Sequence, residues 1–341
     1  MTATMKSPPE QFSLEPAGEP TRTRFFALFQ SRSGGVIAAL AILIVFGSFF
    51  ADGFLSGPNL LNVGQQISLV GIMAVGMTFL IITGEIDLSV GAIYALSSVI
   101  TGLAITNGVS WPVAVLLGVV VGALCGLFNG VLTVYLSLPS FIVTLGTLSI
   151  FRGVMLLTTG GSPISLDSSL SEVASFAVLG SARPFGVPIQ LIMFTTIAVI
   201  GGLVLAFTRF GFHVYAVGGS RESARLTGVP TDAVRLAAFC ITGALSGVAG
   251  IVGLAFLLYV QGTSGTGLEL LVITAVIVGG TALFGGSGTI LGTVAGVALI
   301  GVLQNVLILG GVSSFVQTIV VGAVIIIAVA LDTWLRRRRR T

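Results

Sequence analysis

Apolar stretches of roughly 20 residues, the length that carries a helix across a hydrocarbon core, recur along this chain. They cover 34–53, 67–84, 89–106, 112–136, 139–157, 189–208, 236–258, 268–284, 289–309 and 313–331. Several are short and Gly-rich. The pattern predicts an all-α membrane protein, a polytopic bundle of about ten transmembrane helices over 34–331. Residues 1–33 contain Pro, mix both charges and lack apolar periodicity, which predicts a flexible tail. A cleavable signal peptide is not expected. The apolar block starts late, acidic residues precede it, and no small-x-small site follows.

Composition removes the soluble alternatives. The chain is 55% hydrophobic and 8% charged, where soluble domains carry about 25% charged residues. A soluble enzyme and a nucleic-acid binder are therefore excluded for the bulk of the chain. The few charges are clustered. Lys6, Arg22, Arg24 and Arg32 precede the first span, and Arg209, Arg221, Arg225 and Arg235 lie between the sixth and seventh. Arg336 to Arg340 follow the tenth. Six spans and then four return the chain to the same side, so the positive-inside rule places all three clusters, and both termini, in the cytoplasm. The basic tail 332–341 then reads as a stop beside anionic membrane lipid and not as a nucleic-acid patch. Cys125 and Cys240 sit inside apolar blocks as packing residues, and His213 is the only histidine. Neither a metal site nor a histidine proton relay is expected.

The same parity puts 158–188 outside. This is a Pro- and Ser-containing loop with at most a short helix, either a docking place for a soluble partner or a plain connection.

Charges inside a membrane are costly and mark candidate function. Glu85, Asp87, Arg152 and Glu269 qualify, all near span ends. Arg152 reads as a snorkelling side chain. Glu85 and Asp87 lie in Thr83-Gly84-Glu85-Ile86-Asp87-Leu88-Ser89-Val90-Gly91, a polar, Gly-flanked break between two apolar blocks. Such a break offers backbone donors and carboxylates to a polyhydroxylated solute. It is also what a cytoplasmic turn capped by Asp87 would look like. Two further Gly-rich stretches run over 261–269 and 279–289. Glycine at this density also serves close helix packing. Gly262-Thr263-Ser264-Gly265 matches an intramembrane serine protease motif, but His213 lies on the other side and no base is available. A Walker A site needs a lysine before Ser/Thr, and the only lysine is Lys6. No cofactor is expected on this chain.

The cytoplasmic loop 209–235 carries a capped helix. Ser220 is the N-cap, Glu222 lies in the first turn, Arg225 near the end, and Gly228-Val229-Pro230 stops it. So short a helix is not stable alone. It is either docked on a partner or a connecting turn.

Glu222-Ser223-Ala224-x-x-x-Gly228 resembles the Glu-Ala-Ala-x-x-x-Gly loop of ABC importer permeases, where a coupling helix enters the ATPase subunit. The resemblance is closer to the ribose, xylose and related sugar permeases. Their Gly-Ile-Asp-Leu-Ser-Val-Gly signature appears as Glu85-Ile86-Asp87-Leu88-Ser89-Val90-Gly91. Similar too are Leu138-Pro139-Ser140-Phe141-Ile142-Val143-Thr144, Val214-Tyr215-Ala216-Val217-Gly218-Gly219, Gly265-Thr266-Gly267 and Gly279-Gly280-Thr281. The match runs in order from about residue 58 to 332. It departs at Glu85, where glycine is common, and at Leu271, where many relatives place an aspartate.

The resemblance implies a cobalamin-importer-like (type II) ABC permease fold in the bacterial inner membrane. It implies pairing with a second permease copy or paralogue, and two ATPase subunits that bind ATP and magnesium. A periplasmic sugar-binding protein would deliver a monosaccharide. On this reading Glu85, Asp87 and Ser89 line or shape the path. Asn129, Thr144, Thr147, Gln304 and Asn305 are further path candidates, each of which also serves as helix–helix glue. Coupling falls to Arg221, Glu222, Ala224, Arg225, Leu226 and Gly228, with Gly218 and Gly219 shaping the approach. Two rivals are a proton-coupled secondary transporter using Glu85 or Asp87, and a membrane enzyme acting on a lipid-linked substrate.

Overall fold

The computed structural model describes residues 32–338, so nearly all of the predicted tail 1–33, and residues 339–341, lie outside the described residues. The chain forms α1 (Arg32–Phe50), α2 (Gly57–Ile82), α3 (Val90–Thr106), α4 (Trp111–Tyr135) and α5 (Ser140–Thr159). After β1 (Ile164–Ser165) come α6 (Ser171–Ser181), α7 (Ile189–Phe207), α8 (Arg209–Gly219), α9 (Arg221–Leu226) and α10 (Thr231–Leu257). The last elements are β2 (Tyr259–Val260), α11 (Leu268–Val278), α12 (Ile290–Leu309) and α13 (Ser314–Arg338). Among the described residues, six helices are long and apolar enough to cross a membrane, namely α2, α4, α5, α7, α10 and α12. Four shorter apolar helices, Gly34–Phe50, Val90–Thr106, Leu268–Val278 and Phe315–Val324, fall within the remaining predicted spans.

At the centre stands α2. Every residue from Val70 to Ile82 is buried, as expected for a helix that is apolar all round. Beside it, α4 and α10 pack backbone to backbone. A methyl group on Gly122 would lie 2.6 Å from the Gly243 carbonyl, and one on Gly126 would overlap the Phe239 carbonyl. Glycines four apart allow this approach, and dispersion and polar contacts then hold helices that lipid alone would not drive together.

Some boundaries differ from the sequence pattern for physical reasons. Helix α2 starts at Gly57, with Pro58 in its first turn. Asn59, Asn62, Gln65 and Gln66 made that first part look polar. Helix α11 stops at Val278, and the predicted span 268–284 breaks at Gly279-Gly280. The outer loop 158–188 is more ordered than a plain loop, for it holds β1, the 11-residue α6 and a single 3-10 turn at Pro184–Gly186. Strand β1 pairs antiparallel with β2, Ile164 opposite Val260.

Candidate functional site

Helix α2 ends in a turn that only glycine fits well. Gly84 has φ +84°. Its N–H donates to the Ile81 carbonyl (2.9 Å), and the Glu85 N–H donates to the Leu80 carbonyl (3.2 Å). This is a Schellman closure, and it turns the Glu85 carboxylate back under the bundle. There Glu85 accepts from Arg235 Nε at 2.9 Å and Nη2 at 2.7 Å, and also from Arg221. The Glu85 side chain is 5% exposed, Arg235 10% and Arg221 47%. A carboxylate this buried is tolerable because two guanidinium groups satisfy it. Arg235 belongs to α10 and Arg221 opens α9. The three therefore tie the start of α9 to the segment that leads into α3. They line a cavity of about 240 Å³ together with Thr133 and Ser140.

Two residues on, the Asp87 carboxylate is fully buried. One oxygen accepts from the Ser89 N–H and hydroxyl, both at 2.7 Å, and the other accepts from Asn129 Nδ2 at 3.0 Å. Asn129 Nδ2 also donates to Ser89 Oγ at 2.8 Å. Asp87, Ser89 and Asn129 thus form one closed network that fixes the first turn of α3 against α4. Asp87→Ala would strand the Ser89 N–H and one of the two Asn129 amide hydrogens in the interior, the other keeping Ser89 Oγ, and each stranded group costs about 1–3 kcal/mol. A lower unfolding temperature of the detergent-purified protein is expected. An unchanged one would mean that the network carries no stability.

The remaining path candidates lie apart. Thr144 and Thr147 are buried on α5, and their hydroxyls bond carbonyls of their own helix, Ser140 at 2.9 Å and Thr144 at 3.3 Å. Asn305 makes a reciprocal amide pair with Asn59, at 2.9 and 3.0 Å, joining α12 to α2. Gln304 faces a separate cavity. Arg152 does not snorkel outward. Its Nη1 donates to the carbonyls of Gly262 (2.8 Å) and Ser264 (2.6 Å), clamping the turns between β2 and α11.

The loop 209–235 folds as two helices and the start of α10. Thr208 caps α8, accepting from the Gly211 N–H at 3.2 Å, and Ser220 caps α9, accepting from the Ser223 N–H at 3.2 Å. The Ser220 cap was legible in the sequence, but α8 was not. Gly218 and Gly219 are the last residues of α8. A side chain at Gly218 would run into the Ile82 carbonyl and lie 2.6 Å from the Gly286 nitrogen. At the same junction, the Gly286 N–H donates to the Ile82 carbonyl (2.9 Å) and the Tyr215 hydroxyl to the Gly288 carbonyl (2.7 Å). The ends of α2 and α8 and the 279–289 loop thus meet. Helix α9 buries Ala224 inward and turns Glu222, Arg225 and Leu226 outward, Leu226 at 83% exposure. The exposed face of α9 therefore carries a leucine between charged residues.

Sequence reasoning missed Arg235 as the partner of Glu85. The available signal was that a carboxylate at a span end needs a cation, and the loop supplied several. It also missed Gln66 and Tyr94, which share the Gln304 cavity.

The chain is 40% identical over 314 residues to the ribose import permease protein RbsC of Bacillus subtilis (strain 168), covering 92% of this chain and 96% of that protein. It is 38% identical over 297 residues to RbsC of Escherichia coli (strain K12), 87% and 92% respectively. The autoinducer 2 import system permease protein LsrC of Escherichia coli (strain K12 / DH10B) is 35% identical over 301 residues, 88% and 86%. No solved structure gives a significant match. The family model described as branched-chain amino acid transport system / permease component matches residues 59–329, and the chain belongs to that permease family.

Proposed function

We propose that the chain is the membrane-spanning subunit of a bacterial ATP-binding-cassette importer for a monosaccharide. A periplasmic binding protein delivers the sugar, and a separate subunit that binds ATP and magnesium hydrolyses the nucleotide. The observation that carries this reading is the exposed face of α9, tied through Arg221 and Glu85 to the segment leading into α3. A partner that moves α9 moves that segment too. Family membership supports the permease role, and the two sugar-import relatives, RbsC from two bacteria, support the substrate class.

On this reading the six long and four short apolar helices make ten crossings, with both termini cytoplasmic and the fold of the cobalamin-type importers. A second permease copy or paralogue completes the pore. The outer segment with α6 and the β1–β2 pair receives the binding protein. Asp87, Ser89 and Asn129 shape the path from behind by fixing α3, and Glu85 serves coupling. The proton-coupled reading is weaker because the Glu85 carboxylate is held by two arginines and that of Asp87 by three hydrogen bonds.

Glu222→Lys tests the coupling surface. The Glu222 side chain projects from α9 into solvent, so the change leaves membrane insertion intact. Co-purification with the ATPase subunit and uptake should both fall. Unchanged co-purification with normal uptake would remove α9 as the ATPase contact.

A further inference from the structure

Two non-helical segments enter the bundle from opposite ends. Residues 83–89 follow α2 and lead into α3, and residues 261–267 follow β2 and lead into α11. The second segment meets the first turn of α3 at Gly265 and Gly91, where a methyl group on either residue would overlap the carbonyl of the other. A methyl group on Gly265 would also touch the Tyr94 ring, at 3.2 Å from Cδ1. Irregular backbone at membrane depth is tolerated only inside protein or beside a water-filled space. Such a space adjoins the junction. A cavity of about 260 Å³ is lined by Gln66, Tyr94, Leu268, Leu271, Val297 and Gln304, among others.

Its chemistry is selective. No ionisable carboxylate or cation lines it, so it suits a neutral solute. Gln66 and Gln304 each bring a carboxamide, and among the described residues neither carboxamide has a protein partner. Amides that face hydrocarbon unpaired are costly, whereas amides that face water or hydroxyl groups are not. A carboxamide both donates and accepts, which matches a sugar hydroxyl in either orientation. The remaining wall is apolar and includes Tyr94, itself 8% exposed. An aromatic side chain and two amides lining one cavity fit a ring with hydroxyl edges and a C–H face. The volume lies just under the range of about 300–1,000 Å³ typical of drug-sized ligands, as a single sugar ring requires.

We propose that this cavity is the intramembrane binding site for a neutral, monosaccharide-sized solute, held by the carboxamides of Gln66 and Gln304 against the wall formed by Tyr94. It deepens the importer reading and rests on it only for the solute class. The test uses the full chain in liposomes with Cys125 and Cys240 replaced by alanine and either Gln66→Cys or Gln304→Cys introduced. A membrane-impermeant methanethiosulfonate reagent is applied alone and with D-ribose, D-xylose, L-arabinose or D-galactose. Both cysteines should react, and one or more of the sugars, at ten times its Kd, should slow the reaction about tenfold.

Absence of reaction at either position would overturn the proposal, because the amides would then face lipid or a sealed interior. Reaction that none of the four sugars slows would overturn the sugar assignment. In the assembled importer, Gln304→Leu should raise the KM for the protecting sugar about fivefold, the worth of one hydrogen bond, while Gln304→Asn retains part of the affinity. An unchanged KM in the leucine variant would also count against the site. Labelling needs no ATPase, so its failure is separable from a failure of the importer reading, which ATP-dependent uptake tests.

Discussion

Glu85→Ala is expected to abolish uptake, the largest loss of function from any single substitution in this chain. The reason is charge burial. Arg235 is 10% exposed at the side chain, and its alternative carboxylate, Asp232 at 3.8 Å, is half in solvent. Removing Glu85 leaves a guanidinium buried without its short partner, and breaking such a pair costs about 3–5 kcal/mol. It also releases α9 from the segment that leads into α3. Glu85→Gln separates the two effects, because it keeps the shape and two hydrogen-bonding atoms. The glutamine variant should reach the membrane and bind the ATPase subunit, yet hydrolyse ATP with little uptake. Measuring sugar transported per ATP hydrolysed checks this. A wild-type ratio in Glu85→Gln would mean that the ion-pair cluster does not transmit motion. Partial recovery in Glu85→Arg combined with Arg235→Glu would show that the pairing itself matters.

Gly218→Ala is expected to be nearly as damaging, by a different route. The added methyl group meets two backbone groups, the Ile82 carbonyl and the Gly286 nitrogen. Neither can rotate away as a side chain would. Overpacking of this kind costs about 1–3 kcal/mol and sometimes more. Here it would also push α8 off the end of α2 and break the Gly286–Ile82 hydrogen bond. The adjacent Gly219 is a control, since nothing lies within 4 Å of a side chain placed there. Gly219→Ala should leave the unfolding temperature and uptake near wild type, and Gly218→Ala should lower both. Equal behaviour of the two variants would contradict the close approach.

Much of the fold was legible because a bilayer imposes simple rules. Apolar length located every apolar helix, and the Ser220 cap with the Gly228 stop located α9 almost to the residue. What stayed hidden depended on contacts between distant segments. The sequence pattern ended the second span's polar approach too late, because polar residues 59–66 belong to a helix stabilised by tertiary partners such as the Asn59–Asn305 pair. Helix α8 was missed since its Gly218-Gly219 end and its aromatic residues read as loop. The candidate path residues divided once folded. Asp87, Ser89 and Asn129 came together although Asn129 is forty residues away, while Glu85 turned to the arginines. No spacing rule distinguishes two carboxylates separated by one residue. Their different partners on α4, α9 and α10 do.

On the proposed function, ATP acting on α9 drives movement of solute through this chain. Uptake of radiolabelled sugar into proteoliposomes containing the chain, its ATPase subunit and its binding protein tests this, with ATP sealed on the α9 side and a protonophore added. The expected result is uptake that requires both ATP and the ATPase subunit and persists in the presence of the protonophore. Uptake that proceeds without the ATPase subunit and collapses when the protonophore is added would contradict it.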